Sequence, residues 1–308
     1  MRPFHSNTGM TSIQVGVAIA LALVLFFIAA FLLRYEGSHG LQSAFERSMK
    51  KLHLLQTMSR ALLVSAEAEK SAVMADTDEA SQAFAEQSLQ ASHNVEKARR
   101  ELEPLVGGTR QEAQLFREFS GCWDKLQEID REVLALAVQN TNLKALRLSF
   151  VPAAEAMRRM ENALNQLMDG VSASPDALGI TRLASQAGMG ALHMYTLHAP
   201  HIAESSATRM DELEAVMHSL DAQVTDALQS LHALVDESGK PFLDAAWASY
   251  KDFQHITTEI VTLSRQNSNI RSYALSLGQK RQMTARCQDV LAALQETVQQ
   301  SMTDKATR

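Results

Sequence analysis

The chain has 308 residues, 46% of them apolar and 6% aromatic, with a formal net charge of −6. That apolar share is ample for a substantial core. The acidic balance, with no basic stripe interleaved with aromatics, excludes a nucleic-acid partner, and the absence of alternating β-branched runs bounded by turn residues excludes a sheet.

Residues 1–10 form a short N-terminal tail. Residues 11–33 (TSIQVGVAIALALVLFFIAAFLL) then run without a charge, long enough to cross a hydrocarbon core of roughly 30 Å. A cleavable signal peptide has an apolar core of about 7 to 15 residues and a small-residue exit. This segment instead runs into Phe31, Leu32, Leu33 and Arg34, so we expect an uncleaved transmembrane anchor. Arg2 precedes it and Arg34, Arg47, Lys50 and Lys51 follow it. By charge count alone the bundle would stay on the cytoplasmic side, but large domains translocate largely regardless of charge.

Beyond the span, residues 34–304 are rich in helix formers, and 305–308 form a tail. Gly107-Gly108 with the capping box Thr109-x-x-Glu112, Gly170 to Pro175, and Ser238-Gly239-Lys240-Pro241 are strong helix stops and starts. They predict four arms, about 40–106, 109–170, 175–238 and 240–304, in an all-α, up-down-up-down four-helix bundle. Weaker breaks at Asp76-Thr77-Asp78, Phe150-Val151-Pro152, Pro200 and Gly278 suggest a waist between two stacked modules.

The chain also repeats itself. QNTNLKALRLS (Gln139–Ser149) matches QNSNIRSYALS (Gln266–Ser276), with five identical positions. Trp123 then falls opposite Tyr250, Leu126 opposite Phe253, Ile129 opposite Ile256, Val133 opposite Ile260 and Leu164 opposite Leu291. We read a duplicated helical hairpin, with halves of about 40–170 and 175–304.

Each arm turns polar on its inner face. The seam Leu126, Ile129, Val133, Leu136, Asn140, Leu143 has core spacing, and Phe253, Ile256, Ile260, Leu263, Asn267, Ile270 repeat it. In the first arm Glu69 follows Leu55 and Leu62 at seven-residue steps, and in the third His201 and Glu204 continue the seam of Met194 and Leu197. Counted from the membrane end, Glu69, Asn140, His201, Glu204 and Asn267 fall near one level, with Asn142 beside them. Burying such groups without partners costs on the order of 1 to 3 kcal/mol each. Two readings stand: asparagines that fix register and helix partnership, or a layer that binds a ligand. The convergence of Glu69, Asn140, Asn142, His201, Glu204 and Asn267 favours the ligand.

His193, His198, His201 and Glu204 make a metal site a subordinate reading, because a di-iron bundle needs Glu-x-x-His on two helices. No cofactor is expected. Phosphate-loop, dinucleotide, His-Glu-x-x-His, haem-attachment and nucleophile-elbow motifs are absent, so nothing points to an enzyme. The methionines read as core filler. Cys122 and Cys287, counted along the four arms, fall tens of ångströms apart, which forbids a bridge within one chain.

The N-terminal span, the long arms and the segment AVQNTNLKALRLSF (Ala137–Phe150) resemble the four-helix-bundle sensory domain of methyl-accepting chemotaxis receptors, in its helical bimodular form. The resemblance covers about residues 11–304. It implies a single-pass bacterial inner-membrane protein with a periplasmic bundle, often a homodimer, that binds small molecules such as organic acids or amines. Chemotaxis receptors return through a second span to a signalling hairpin, whereas this sequence ends in TVQQSMTDKATR. The expected role is therefore ligand binding or sensing that passes through a signalling protein partner, and the competing role is a structural or tethering bundle.

Overall fold

The computed structural model describes the backbone of residues 12–170 and 175–306 and the side chains of residues 42–170 and 175–304. Every described element is helical. The helices are α1 (Ser12–Met74), α2 (Asp78–Leu102), α3 (Arg110–Ala137), α4 (Thr141–Leu148), α5 (Ala154–Gly170), α6 (Ala177–Thr196), α7 (His198–Ala203), α8 (Ala207–Leu234), α9 (Lys240–Gln266), α10 (Ser268–Leu275) and α11 (Arg281–Ala306). The predicted span, 11–33, lies outside the residues whose side chains are described. Among the described residues no helix is long and apolar enough to cross a membrane.

The expected four arms of about 60 residues do not form, because two of the weaker breaks are full reversals. At the first, Thr77 caps α2 by accepting a hydrogen bond from the Ala80 N–H at 3.0 Å, and Asp78 and Glu79 occupy the first turn, where acidic side chains meet the positive end of the helix. The chain then folds back. Ser65 Oγ on α1 meets Ser88 Oγ at 3.1 Å and Ser92 Oγ at 2.9 Å on α2. At the second, Ser206 caps α8 through the Arg209 N–H, and α6 packs along α8. That contact is close enough that a Cβ at Gly190 would sit 2.7 Å from Val224 Cγ2.

The other two weak breaks do not reverse the chain. α3, α4 and α5 succeed one another through a left-handed residue, Asn140, and a π turn, Ser149–Ala153. The run α9, α10, α11 does the same through Asn267 and the π turn Ser276–Lys280. Pro152 in the first π turn has no N–H to give, and wider turns of this kind relieve such defects.

The repeat is therefore larger than a hairpin. Each half is a helical hairpin followed by a long broken helix, and the broken helices are exchanged. α5 of the first half packs on α6 and α9 of the second, while Lys280 and Cys287 of the second half reach Glu69, Asp130 and Cys122 of the first.

The chain divides into two compact units, one built from Met1–Ser59, Val95–Ser120 and Asp289–Arg308, the other from Arg60–Asn94 and Gly121–Gln288. In the first, Leu55, Met58, Val95, Leu102, Phe119 and Leu294 are buried. A buried ion pair, Lys51 Nζ to Glu112 Oε2 at 2.7 Å, crosses it. The capping box is half realised: the Glu112 N–H donates to Thr109 Oγ1 at 3.1 Å, but the Glu112 carboxylate goes to Lys51.

In the larger unit, α5, α6, α8 and α9 share a core around Met160, Leu167, Ile180, Leu228, Tyr250 and Phe253. A second core joins Val73, Val133 and Ala137, with Ile129 and Leu275 packed against it. Here Cys122 and Cys287 form a disulfide, with Cα atoms 5.8 Å apart, which corrects the expectation of distant thiols. Four long arms would run α3 in the opposite direction. Because α1 and α2 already make a complete hairpin, α3 runs toward Asn140 while α11 runs away from Asn267, and Cys122, 18 residues before Asn140, meets Cys287, 20 residues after Asn267.

Candidate functional site

The paired asparagines build the junction between the exchanged halves. Asn140 (φ 50°, ψ 36°) and Asn267 (φ 56°, ψ 34°) are the two non-glycine residues at positive φ among those described. Asn140, after a two-residue turn that closes α3, starts α4, and Asn267 ends α9 and starts α10. A helix start leaves N–H groups without intrahelical acceptors, and here each new helix is capped by the other. The Thr141 N–H donates to Ser268 Oγ at 3.1 Å and the Ser268 N–H to Thr141 Oγ1 at 3.0 Å. The Asn142 N–H donates to Asn269 Oδ1 at 3.1 Å and the Asn269 N–H to Asn142 Oδ1 at 3.2 Å. Every pair is 127 residues apart, so the capping follows the repeat.

The asparagine amides tie this junction to the two hairpin turns. Asn140 Nδ2 donates to Asp78 Oδ1 at 2.9 Å, and Asn267 Nδ2 donates to the Glu204 carbonyl at 2.9 Å. The hydrogen bond from Asn140 is the leading reason that the Asp78 carboxyl is held below its ordinary value. Asn142 Nδ2 donates to Asn267 Oδ1 and to the Ile202 carbonyl, both at 2.8 Å, and Asn269 Nδ2 donates to Asn140 Oδ1 at 3.0 Å. Every side-chain polar atom of Asn140, Asn142 and Asn267 has a protein partner, so this cluster is closed on itself.

The other members of the expected polar layer go elsewhere. His201, fully buried, bonds Ser264 Oγ through Nδ1 and Glu214 Oε1 through Nε2, the latter at 2.8 Å. Glu214 is also held by Arg265, at 2.6 Å, which pulls the carboxyl below its usual range, with His201 adding to the effect. The Glu204 carboxylate caps its own turn, accepting from the Ser205 and Ser206 N–H groups at 2.8 and 2.9 Å. His198 sits between Ser149 Oγ (3.2 Å) and Thr257 Oγ1 (3.1 Å). Burial drives its pKa down to about 4, and the neighbouring His201 adds to the shift. His193 is exposed. Among the described residues no group of three or more His, Cys, Asp or Glu side chains is placed to hold a metal ion.

Glu69 is separate from the asparagines. It is 1% exposed, and its Oε2 lies 2.9 Å from Lys280 Nζ, while the same ammonium also pairs with Asp130 Oδ1. Two carboxylates thus share one buried ammonium. The Oε2 contact is an ion pair without hydrogen-bond geometry, and Oε1 has no hydrogen-bond partner among the described residues. A cavity of about 600 Å³ opens beside this triad, lined by Leu63, Ala66, Glu69, Lys280 and Thr284, with Lys70 and Arg281 exposed toward solvent.

Sequence reasoning missed Lys280 and Asp130. Both were legible as misfits on buried stripes: Asp130 lies on the run Trp123, Leu126, Asp130, Val133, Ala137, and Lys280 on the run Ser276, Lys280, Cys287, Leu291, Leu294. The seam read from spacing passes through Ile129, one position away, which is only half-buried.

A comparison with curated proteins finds no match. The sequence model of one family, described as a four helix bundle sensory module for signal transduction, matches residues 14–174, more than half of the chain. That match joins the all-helical fold and the paired asparagine segment already described, and by it the chain belongs to the family of four-helix-bundle sensory modules for signal transduction.

Proposed function

We propose that this sensory module is anchored in the bacterial inner membrane by residues 11–33, places its bundle in the periplasm, and binds a small organic acid or amine. The bound state then passes to a signalling protein partner through the broken helices α3 to α5 and α9 to α11. One observation carries the ligand-binding reading: a 600 Å³ cavity, within the volume range of small-molecule sites, is lined by a buried carboxylate with an uncommitted oxygen. Unsatisfied buried polar atoms are rare in structural cores. The Cys122–Cys287 disulfide supports an oxidising compartment such as the periplasm.

A second reading, a tethering bundle, draws on the closed asparagine cluster, which fixes register and partnership without any ligand. The two readings separate in thermal unfolding of the full chain in detergent against organic acids and amines. A ligand at 100 times its dissociation constant adds about 2.7 kcal/mol to the unfolding free energy, and we expect one chemical class to produce that shift. A cooperative melt that no acid or amine moves would favour the tethering bundle.

A further inference from the structure

We infer that the cavity beside Glu69 is a site for a small organic cation, an ammonium group on a short aliphatic body. This rests on the ligand-binding reading and names both the position and the ligand class. The argument is one of charge and shape. Glu69, Asp130 and Lys280 bring two negative groups and one positive group into the interior, and Glu69 Oε1 has no hydrogen-bond partner among the described residues. A buried carboxylate that shares its cation with a second carboxylate has acceptor capacity to spare, and a donor with positive charge fits it best.

An organic acid would set a third negative group against Glu69 and Asp130; the Lys70 and Arg281 cations and the Glu67 carboxylate that also line the cavity are exposed, where solvent screens their charges. A divalent metal would need several more oxygen ligands than one carboxylate oxygen, in a site already holding the Lys280 ammonium. An ammonium head supplies what Oε1 lacks. Leu63, Ala66 and Ala285 line the same cavity and present an apolar wall to an aliphatic chain, so the site favours an alkylammonium over ammonium itself. The ligand's positive charge would balance the triad, whose members come from both halves of the repeat: Glu69 and Asp130 from the first, Lys280 from the second. Occupancy would therefore strengthen the contact by which α11 is held against α1 and α3.

The experiment is a calorimetric titration of the full chain in detergent with n-butylammonium chloride, and in parallel with sodium butyrate at equal ionic strength. Saturable binding of n-butylammonium without binding of butyrate is expected. Glu69→Gln should weaken it by about tenfold or more, because a charged hydrogen-bond acceptor is lost. Ala66→Leu, which narrows the cavity and leaves the triad intact, should weaken it as well and serves if Glu69→Gln does not fold. Glu214→Gln, at the separate His201 cluster, should leave it unchanged. Binding of butyrate alone would overturn the proposed ligand class while leaving a ligand-binding bundle. Binding of n-butylammonium that survives both Glu69→Gln and Ala66→Leu would overturn the site. Binding of neither probe would overturn the inference, and a flat result across other acids and amines would remove the underlying reading too.

Discussion

Asn140 and Asn267 each do two things at one residue, holding a left-handed backbone and donating a side-chain hydrogen bond to a hairpin turn. The two contributions can be separated. Asn267→Gly keeps the backbone conformation, since glycine enters the left-handed region freely, but leaves Asn142 Nδ2 and the Glu204 carbonyl each short of a partner, a loss of about 1 to 3 kcal/mol. Asn267→Ala loses the same bonds and adds roughly 1 to 2 kcal/mol of left-handed strain. Denaturant unfolding should thus rank wild type above the glycine variant and the glycine variant above alanine; equal values for the two would mean the backbone relaxes. His198 sets a different expectation. It faces the Ser149 and Thr257 hydroxyls and the Phe253 and Tyr195 rings, with His201 as the neighbour that shifts it. Its folded pKa, about 4, lies below the ordinary histidine value of 6.5, so the unfolded chain binds the proton first. Stability should therefore be full above pH 6.5 and fall as pH drops toward 4, by about 3 kcal/mol. The lowered carboxyls, Glu96 and Glu214 among them, act mostly below that window. His198→Gln, read by unfolding at pH 4.5 and pH 7, should flatten the difference, and an unchanged slope would assign it to another group.

At the scale of elements, the strong punctuation was legible and the reversals were not. Gly107-Gly108, Gly170 to Pro175 and Ser238 to Pro241 break helices by backbone chemistry that any reader of the sequence can see. Asp76-Thr77-Asp78 has neither glycine nor proline and reads as a dent in a long helix. The missed signal was a cap: Thr77 followed by Asp78 and Glu79 marks a new helix start, and arms of 60 residues are several times the ordinary helix length. That one reading inverted the direction of α3 and with it the expected distance between Cys122 and Cys287. The polar layer is realised only in part: Asn140, Asn142 and Asn267 meet in one cluster, but levels counted along the wrong arms put Glu69 beside them rather than beside Lys280 and Asp130. The disulfide closes a sequence separation of 165 residues, for which loop entropy gives about 5 kcal/mol, against about 2 to 4 kcal/mol for disulfides in general. Full reduction, verified by thiol titration, should lower the unfolding free energy by that order in denaturant melts. Stability that does not respond would mean that α3 and α11 stay associated without the bond, or that the unfolded chain keeps them close.

For the molecule as a whole, the repeat was the most informative feature of the sequence, because a single offset of 127 aligned the segments that the structure joins by reciprocal capping. What no repeat can show is exchange. Similarity says that two halves share a fold, but which half supplies the last helix of each core depends on whether the chain continues or turns at the π segments, and that is decided by packing. The same exchange makes the disulfide a reporter of where the protein lives. Cys122 and Cys287 belong to different halves, so the bond ties the two assembled halves together, and it persists only where thiols are not kept reduced. Alkylation of intact bacterial cells with a membrane-permeant maleimide, followed by denaturing gels without reductant, therefore tests fold and compartment together. A periplasmic bundle predicts unlabelled chain that gains two labels after reduction. Immediate labelling of both cysteines would place the bundle on the cytoplasmic side, as the charges flanking residues 11–33 would have it. In a Cys122→Ala variant, an unlabelled chain that runs at twice the mass on the gel without reductant and at the single mass after reduction would show a bridge between two copies, and would identify Cys287 as a dimer contact instead.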